Sequence, residues 1–184
     1  IFSSIDGEGI RTGYPVTFIR SQFCNLKCTY CDTKYSWDAN DENGNPQFTV
    51  MTVEEIVAKC KELKNRRITF TGGEPLIQKD AAELVAALLD QGFEVNIETN
   101  GAVELEPFEN RLVDVLQNDE LLNNLIYTLD YKTASSGMED KMIMENINFL
   151  IEGDVLKFVV GSKAELDRMK EIVLEYNPRS EIFI

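Results

Sequence analysis

The sequence predicts an α/β fold in which a parallel sheet is covered by helices. Short apolar segments alternate with longer segments of helical periodicity through most of the 184 residues, and this alternation is typical of successive βα units. The strand-like segments are almost continuously apolar, which indicates burial on both faces of the sheet. Glycine, threonine and charged residues cluster where these segments end, at the edge where parallel sheets place their ligand sites.

Six segments have the composition of strands. They are residues 16–20, 68–71, 94–98, 125–129, 155–160 and 181–184. A cysteine-rich loop and then a polar, turn-rich insert, 38–47, follow the first strand. The first helix begins after that insert at a capping box, in which the side chains of Thr52 and Glu55 accept hydrogen bonds from each other's backbone N–H groups.

The later helices are bounded by comparable signals. We predict three of them at 80–91, 107–118 and 139–150. A last helix begins at the capping box of Ser162 and Glu165 and ends before Asn177, because the proline that follows disfavours helical backbone in the preceding residue. We expect all elements to form one domain, 1–184. Both ends look clipped, since Ile1 is no initiator and the last strand runs to the final residue.

Composition and charge limit the classes of function. The chain is 43% hydrophobic and 27% charged, and its net charge is −14. This acidity argues against a nucleic-acid partner, because proteins that bind nucleic acid neutralise phosphates with lysine and arginine. No apolar segment approaches the ~20 residues of a membrane span, and no signal peptide precedes Ile1. We therefore expect a cytoplasmic protein without a membrane partner, in which thiols stay reduced.

Three of the four cysteines, Cys24, Cys28 and Cys31, fall within eight residues directly after the first strand. Three thiolates leave one iron of a [4Fe–4S] cluster free to bind a substrate or cofactor. A structural zinc ion would need a fourth ligand, and the chain has no histidine. A disulfide would leave one of the three thiols unpaired. Zinc and a disulfide are therefore weaker alternatives, and Cys60 is interpreted as a buried residue on the apolar stripe of the first helix.

Unusual residues follow the carboxyl ends of five predicted strands, so five loops should meet at one edge of the sheet. These loops are the cysteine loop with Arg20, and residues 71–75, 98–101, 130–132 and 161–162. For any single loop the alternative is an ordinary turn, because turns are commonly rich in glycine, threonine and asparagine. Their convergence beside three cysteines favours a functional site.

Two motifs resemble a known superfamily. The spacing Cys-x3-Cys-x2-Cys, with Tyr30 before the last cysteine, resembles the signature of radical S-adenosylmethionine (SAM) enzymes. The segment Thr71-Gly72-Gly73-Glu74-Pro75 is similar to the segment that binds SAM in that superfamily.

Within the superfamily, the chain resembles the 7-carboxy-7-deazaguanine synthases of queuosine and deazapurine biosynthesis. The similarity is carried by residues 4–9, 18–20, 31–33, 130–132 and 135–137, together with Trp37. Asp6 stands where that family usually has glutamine, and Phe23 where it usually has glycine. The resemblance implies a partial, TIM-like barrel of about six parallel strands with reduced helical cover.

The resemblance also implies a role for individual residues. The cysteines of the loop, Cys24, Cys28 and Cys31, would hold the cluster, and Thr33 would bind Mg²⁺. The implied SAM-binding residues are Tyr30, Gly72, Gly73, Glu74, Thr99, Asn100, Lys132 and Ser135. The implied substrate-binding residues are Glu8, Gly9, Arg20 and Thr71. Turn formation, helix capping or surface ion pairing is the alternative for each of these residues outside the cysteines.

The activity that the resemblance implies is conversion of 6-carboxy-5,6,7,8-tetrahydropterin to 7-carboxy-7-deazaguanine, through hydrogen abstraction, ring contraction and loss of ammonia. A flavodoxin or ferredoxin would supply the electron, and the enzyme would be a homodimer. The residues suit this chemistry, because a Glu8 carboxylate can accept from the donor-rich edge of a pterin and Arg20 can bind a carboxylate through its planar fork. Two alternatives stay open: another radical SAM enzyme, such as an activase of a glycyl-radical enzyme, and a non-enzymatic zinc or iron–sulfur interaction module.

Overall fold

A computed structural model describes all residues, 1–184, and its centre is one seven-stranded sheet in which the strands lie in chain order. Strands β2 to β7 are parallel, and β1 pairs antiparallel with β2. The strands are β1 Phe2–Ile5, β2 Pro15–Ser21, β3 Arg67–Gly72, β4 Glu94–Thr99, β5 Leu125–Tyr131, β6 Val155–Phe158 and β7 Glu181–Phe183. Since β1 and β7 are not paired with each other, the sheet is a barrel that does not close. The predicted partial barrel and its six parallel strands are confirmed.

Five α-helices accompany the parallel strands, and four of them agree with the sequence prediction. The helices are α1 Val53–Leu63, α2 Ala81–Asp90, α3 Leu105–Val115, α4 Glu145–Phe149 and α5 Lys163–Tyr176. The predicted capping box of α1 is present in full, and Ser162 caps α5. No helix combines the length and the apolarity that crossing a membrane requires.

The predicted helix at 139–150 is wrong in its extent. Residues 139–141 form a 3-10 turn, and only Glu145–Phe149 is α-helical. The backbone N–H of Ile143 donates to Gly101 O at 3.1 Å, and Asn146 bonds to three backbone groups of the segment 101–105. These tertiary hydrogen bonds hold the segment against the loop after β4 and leave no room for a continuous helix.

The first strand, β1, was not predicted from the sequence. All four of its residues are exposed, so it has no buried face that alternation would reveal. It is held by pairing with β2 and by Phe2, whose ring stacks on Phe18 at 5.3 Å between centroids.

The apolar core lies between the outer face of the sheet and the helices. It contains 29 buried residues, which include Ile68 and Phe70 of β3 and the buried face of α2. Cys60 belongs to this core and is fully buried, as predicted. Burial raises the pKa of its thiol to about 11, so it is a poor metal ligand at neutral pH.

The inner face of the sheet is polar, because side chains alternate between the two faces of each strand. Parallel register places the inward residues side by side: Arg20 beside Thr71, Glu98 beside Thr128, and Asp130 beside Lys157. At the amino-terminal ends of the strands, the buried guanidinium of Arg11 donates to Ile68 O at 2.9 Å. The turn that carries Arg11 therefore closes this end of the barrel, and the polar interior opens at the other end.

Candidate active site

A cavity of about 350 Å³ lies at the carboxyl ends of strands β2 to β6. Most of the predicted site residues line it: Glu8, Arg20, Cys24, Cys28, Tyr30, Cys31, Thr33, Thr71, Gly72, Gly73, Thr99, Asn100 and Lys132. Three predicted residues, Gly9, Glu74 and Ser135, do not line it. Four of the five loops that the sequence singled out supply most of the wall, whereas residues 161–162 do not line the cavity.

The three loop cysteines face this cavity as free thiols. Cys28 is buried, and burial raises the pKa of the Cys24 and Cys28 thiols. No three cysteine or carboxylate side chains lie close enough together to ligate one metal ion. A tetrahedral zinc ion with bonds of about 2.3 Å requires such convergence, whereas a cubane cluster places each thiolate on a different iron. The arrangement therefore fits an iron–sulfur cluster better than zinc.

Close packing of two loops fixes the cysteine loop. Phe23, just before the first cysteine, has a φ of 71°, in the left-handed region that favours glycine. Its N–H donates to Ser36 O at 2.7 Å, and its carbonyl accepts from Glu74 N at 2.8 Å. A Cβ on Gly73 would lie 2.0 Å from that carbonyl oxygen, so only glycine fits there. The loop after β3 thus supports the cysteine loop through backbone contact.

Glu74 is fully buried beneath the cavity rather than in its wall. Its carboxylate accepts from Leu76 N at 3.0 Å, Thr99 Oγ1 at 2.9 Å and Asn100 N at 2.7 Å. Burial raises the pKa of Glu74 to about 7, although these donors oppose the rise. Glu74 therefore joins the loops after β3 and β4, and its predicted contact with the ammonium group of SAM stays a prediction.

The other two residues outside the wall also hold loops in place. The N–H of Ser135 donates to Glu165 at 2.8 Å, and its carbonyl accepts from the hydroxyl of Thr29 in the cysteine loop. Gly9 has a φ of 61° and begins the turn that closes the amino-terminal end of the barrel. Both residues thus take part in loop geometry, and their predicted contacts with SAM and with the substrate stay predictions.

A charged network forms the floor of the cavity, and part of it was missed in the sequence. Asp130 Oδ2 accepts from Lys132 at 2.9 Å and from Lys157 at 3.2 Å, and Lys157 also pairs with Glu8. Burial lowers the pKa of Lys157, but Asp130 and Glu8 outweigh it and the pKa is raised overall. The sequence analysis does not predict Lys157 as a site residue. The feature of the sequence that could have indicated it is a single charged residue within the apolar segment of β6.

Two further residues of the cavity wall, Arg20 and Glu98, add a guanidinium and a carboxyl group to its interior. Arg20 forms no ion pair, so its guanidinium is available to an anion in the cavity. Glu98 also lines the cavity, and burial raises its pKa while the hydroxyl of Thr71 opposes that rise. The sequence indicated Glu98 only as part of a loop, because its burial depends on strands β3 and β5 beside it.

Thr33 lies in the wall beside the cysteines. It precedes the 3-10 turn Lys34–Ser36, yet its side chain makes no capping hydrogen bond. Its hydroxyl is 3.6 Å from the Sγ of Cys31. The alternative of a capping threonine is thus not supported, and the one hydrogen-bond partner of the hydroxyl is the Sγ of Cys31.

Comparisons with known proteins define the class. The family model of the radical SAM superfamily matches residues 18–124. The chain therefore belongs to the radical SAM superfamily, whose members bind a [4Fe–4S] cluster and SAM.

More specific relatives define the family. A 7-carboxy-7-deazaguanine synthase of Clostridium acetobutylicum is 42% identical over 177 residues, which cover 96% of this chain and 73% of that protein. A 7-carboxy-7-deazaguanine synthase of Methanospirillum hungatei is 38% identical over 188 residues, which cover 100% of this chain and 69% of that protein. The crystal structure of QueE from Escherichia coli matches at a TM-score of 0.70 and 25% identity, covering 100% of this chain and 81% of that one. Within the superfamily, the chain belongs to the 7-carboxy-7-deazaguanine synthase family.

Proposed function

We propose that this chain converts 6-carboxy-5,6,7,8-tetrahydropterin to 7-carboxy-7-deazaguanine and ammonia. The observation that carries the proposal is one cavity that joins three free cysteines to an unpaired Arg20 and to two carboxylates, the exposed Glu8 and the half-buried Glu98. Substrate and product differ by one molecule of ammonia, so the conversion needs no external oxidant. When bound, the cluster and SAM supply a carbon-centred radical that abstracts a hydrogen atom from the substrate.

The residues of the chain bind and orient. Cys24, Cys28 and Cys31 hold the cluster. The residues proposed to bind SAM are Tyr30, Gly72, Gly73, Glu74, Thr99, Asn100, Lys132 and Ser135. Glu74 and Ser135 also hold their loops in place. Gly72 and Gly73 leave their backbone groups open to a ligand.

Substrate recognition falls to the inner wall of the barrel. The fork of Arg20 binds the substrate carboxylate through two parallel hydrogen bonds, which a pterin acid matches in shape and charge. Glu8 accepts from the donor-rich edge of the pterin, and Thr71 lies beside Arg20 in the adjacent strand. The amino-terminal end of the barrel is closed by the turn that carries Arg11, so solvent can enter the interior only from the cavity side.

In this proposal Thr33 would supply an oxygen ligand to Mg²⁺, because hard oxygen ligands suit this ion, and the ion would add positive charge for binding the substrate carboxylate. Thr33→Val removes the hydroxyl and keeps the branched shape. We expect the variant to assemble its cluster and cleave SAM, but to bind substrate several-fold more weakly and to lose its response to added Mg²⁺. Titration of Mn²⁺ monitored by electron paramagnetic resonance measures ion binding separately from turnover. Equal Mn²⁺ binding by variant and wild type would contradict the assignment.

The decisive experiment is an anaerobic incubation of the reconstituted protein with SAM, a reductant and the pterin, followed by mass spectrometry. We expect a product that has lost one ammonia and appears without any partner protein. SAM cleavage without that product would favour a different radical SAM reaction, such as activation of a glycyl-radical enzyme. One colourless zinc ion per chain and no iron would favour an interaction module.

We further propose a flavodoxin or ferredoxin as the electron donor and a homodimer as the working form, both from the family resemblance. Size-exclusion chromatography with light scattering tests the dimer.

A further inference from the structure

Two helices begin with the same capping motif but use its glutamate differently. In α1, Thr52 and Glu55 bond to each other's backbone, and the carboxylate of Glu55 has no hydrogen-bond partner outside that turn. In α5, the hydroxyl of Ser162 accepts from the N–H of Glu165 at 3.3 Å, but the carboxylate of Glu165 does not bond to the N–H of Ser162. The second half of the predicted capping box is therefore absent, because the side chain of Glu165 has other partners.

The carboxylate of Glu165 joins two loops at the carboxyl ends of the strands. Its Oε1 accepts from the N–H of Ser135 at 2.8 Å, and its Oε2 accepts from the N–H of Gly161 at 2.9 Å and from the hydroxyl of Ser162 at 3.3 Å. The residue is only 6% exposed. Hydrogen bonds from Ser135, and then from Gly161, lower the pKa of Glu165 to about 2, so the group is ionised at neutral pH. One carboxylate therefore ties the loop after β5 to the loop after β6.

The loop after β5 also contacts the cysteine loop directly. We call residues 132–137 the β5 loop; it contains Lys132 and Ser135, both proposed to bind SAM. Thr29, between the second and third cysteines of the motif, donates through its N–H to Ser136 O at 2.9 Å and through its hydroxyl to Ser135 O. Ser135 is thus held on both sides, its N–H by the carboxylate from α5 and its carbonyl by the cysteine loop.

We propose that Glu165 is a positioning residue for SAM, which holds the β5 loop through Ser135 and so fixes the SAM-binding side chains of that loop relative to the cluster. The inference rests on the proposed role of this loop in SAM binding. A carboxylate suits the task because it has two acceptor oxygens, one for each loop. A glutamine of the same shape has one acceptor, so its amide nitrogen would face either Ser135 N or Gly161 N, a donor opposite a donor. One of the two loops must then shift.

Three variants separate this role from stability. Glu165→Gln keeps the size of the side chain, and Glu55→Gln is its matched control, because Glu55 occupies the same position of the same motif but bonds only within its own turn. Thr29→Val removes the hydroxyl that holds Ser135 O and keeps the branched shape of an exposed side chain. In every variant the β5 loop keeps a further hydrogen bond, donated by Thr133 at 2.8 Å to the backbone just after β6, so each variant should fold.

SAM binding is measured by anaerobic isothermal titration calorimetry on reconstituted protein with the cluster oxidised, so that SAM binds without being cleaved. Iron content and thermal denaturation are measured on the same samples. We expect Glu165→Gln to keep full iron content and to bind SAM about tenfold more weakly, because one loop loses its anchor. Thr29→Val should weaken SAM binding several-fold. The double variant should bind no more weakly than Glu165→Gln alone, because both changes interrupt one chain of contacts. Glu55→Gln should match wild type.

Wild-type affinity for SAM in Glu165→Gln, or additive losses in the double variant, would overturn the positioning role. If Glu165→Gln loses iron or fails to fold, Thr29→Val decides the matter, and unchanged SAM binding by that variant would refute the inference. Absence of SAM binding by the wild type would refute both the inference and the proposed function. Pterin turnover is not part of this readout, so a wild type that binds SAM but forms no product would contradict the proposed reaction alone.

Discussion

At the scale of single residues, burial and neighbours decide what each titratable or thiol side chain does. Cys60 and Cys28 are both buried, yet Cys60 packs among apolar side chains and Cys28 faces the cavity. Glu8 and Glu74 both carry a carboxylate near the site. Glu8 forms an ion pair with Lys157, whereas Glu74 accepts hydrogen bonds from backbone N–H groups. Residue type alone does not distinguish these roles.

Replacement of any one of Cys24, Cys28 or Cys31 by alanine should abolish the visible absorbance of the reconstituted cluster and all SAM cleavage. Two remaining thiolates leave two irons without a protein ligand. Cys60→Ala is the control and should keep both properties, with stability reduced by about 1 kcal/mol for the lost core contacts. Loss of iron in the Cys60 variant with retention in the Cys28 variant would reverse the assignment.

The raised pKa of Glu74 predicts that the free energy of unfolding depends on pH. Its pKa is raised to about 7 in the folded protein and returns to its ordinary value on unfolding, so its contribution is fully present in acid and is lost as pH rises through 7. Relative to Glu74→Gln, which does not titrate, the stability of the metal-free wild type should fall by about 3 kcal/mol between pH 4 and 8.

Urea denaturation of both proteins across this pH range measures the difference. A constant difference would mean that the three hydrogen-bond donors keep Glu74 ionised throughout.

At the scale of elements, the site depends on loops that fit together through backbone contacts. The loop after β3 lies against the cysteine loop at Gly73, and Glu74 joins it to the loop after β4. The short α4 shows the same effect, because hydrogen bonds to the loop after β4 override local helical preference.

Gly73→Ala tests this fit. The new methyl group would lie 2.0 Å from Phe23 O, so the cysteine loop must move. We expect a loss of about 2–3 kcal/mol in stability and much weaker iron incorporation. Gly92→Ala is the control: its φ is 80° but nothing lies within 4 Å of the added carbon, so it should cost about 1 kcal/mol and keep full iron content. Normal iron content in Gly73→Ala would show that the cysteine loop forms without this support.

At the scale of the whole molecule, the open barrel gives a polar interior with one closed end. The turn after β1 carries Arg11 across the starts of β3 and β4, and Asp6 accepts from Thr69 at 3.0 Å in the same region. Burial lowers the pKa of Arg11, and the nearby Asp6 opposes this change.

Arg11→Met should destabilise the protein by about 3 kcal/mol, because it leaves the buried Asp6 without its compensating positive charge. The matched control is Arg66→Met, whose partner Glu94 forms an ion pair at 3.2 Å on the exposed surface and should contribute less than about 1 kcal/mol. Thermal and urea denaturation measure both. A cost for Arg11→Met no larger than that for Arg66→Met would show that the closed end does not depend on the buried charge.

The sequence by itself determined the parallel sheet, its six parallel strands, four of the helices and the convergence of the site at one edge. These depend on periodicity, capping residues and strand direction, which are local properties. It also determined the superfamily, because the cysteine spacing and the Gly-Gly-Glu segment are contiguous motifs.

The tertiary structure alone decided which side chains face the cavity. Lys157 reaches Asp130 because β5 and β6 pair in that register, and Glu74 turns away from the cavity because two backbone N–H groups and a hydroxyl satisfy its carboxylate elsewhere. Lys27 and Lys34 both lie over the ring of Trp37 because the fold brings them together there. Such outcomes depend on contacts between residues distant in the chain, and no local pattern encodes them.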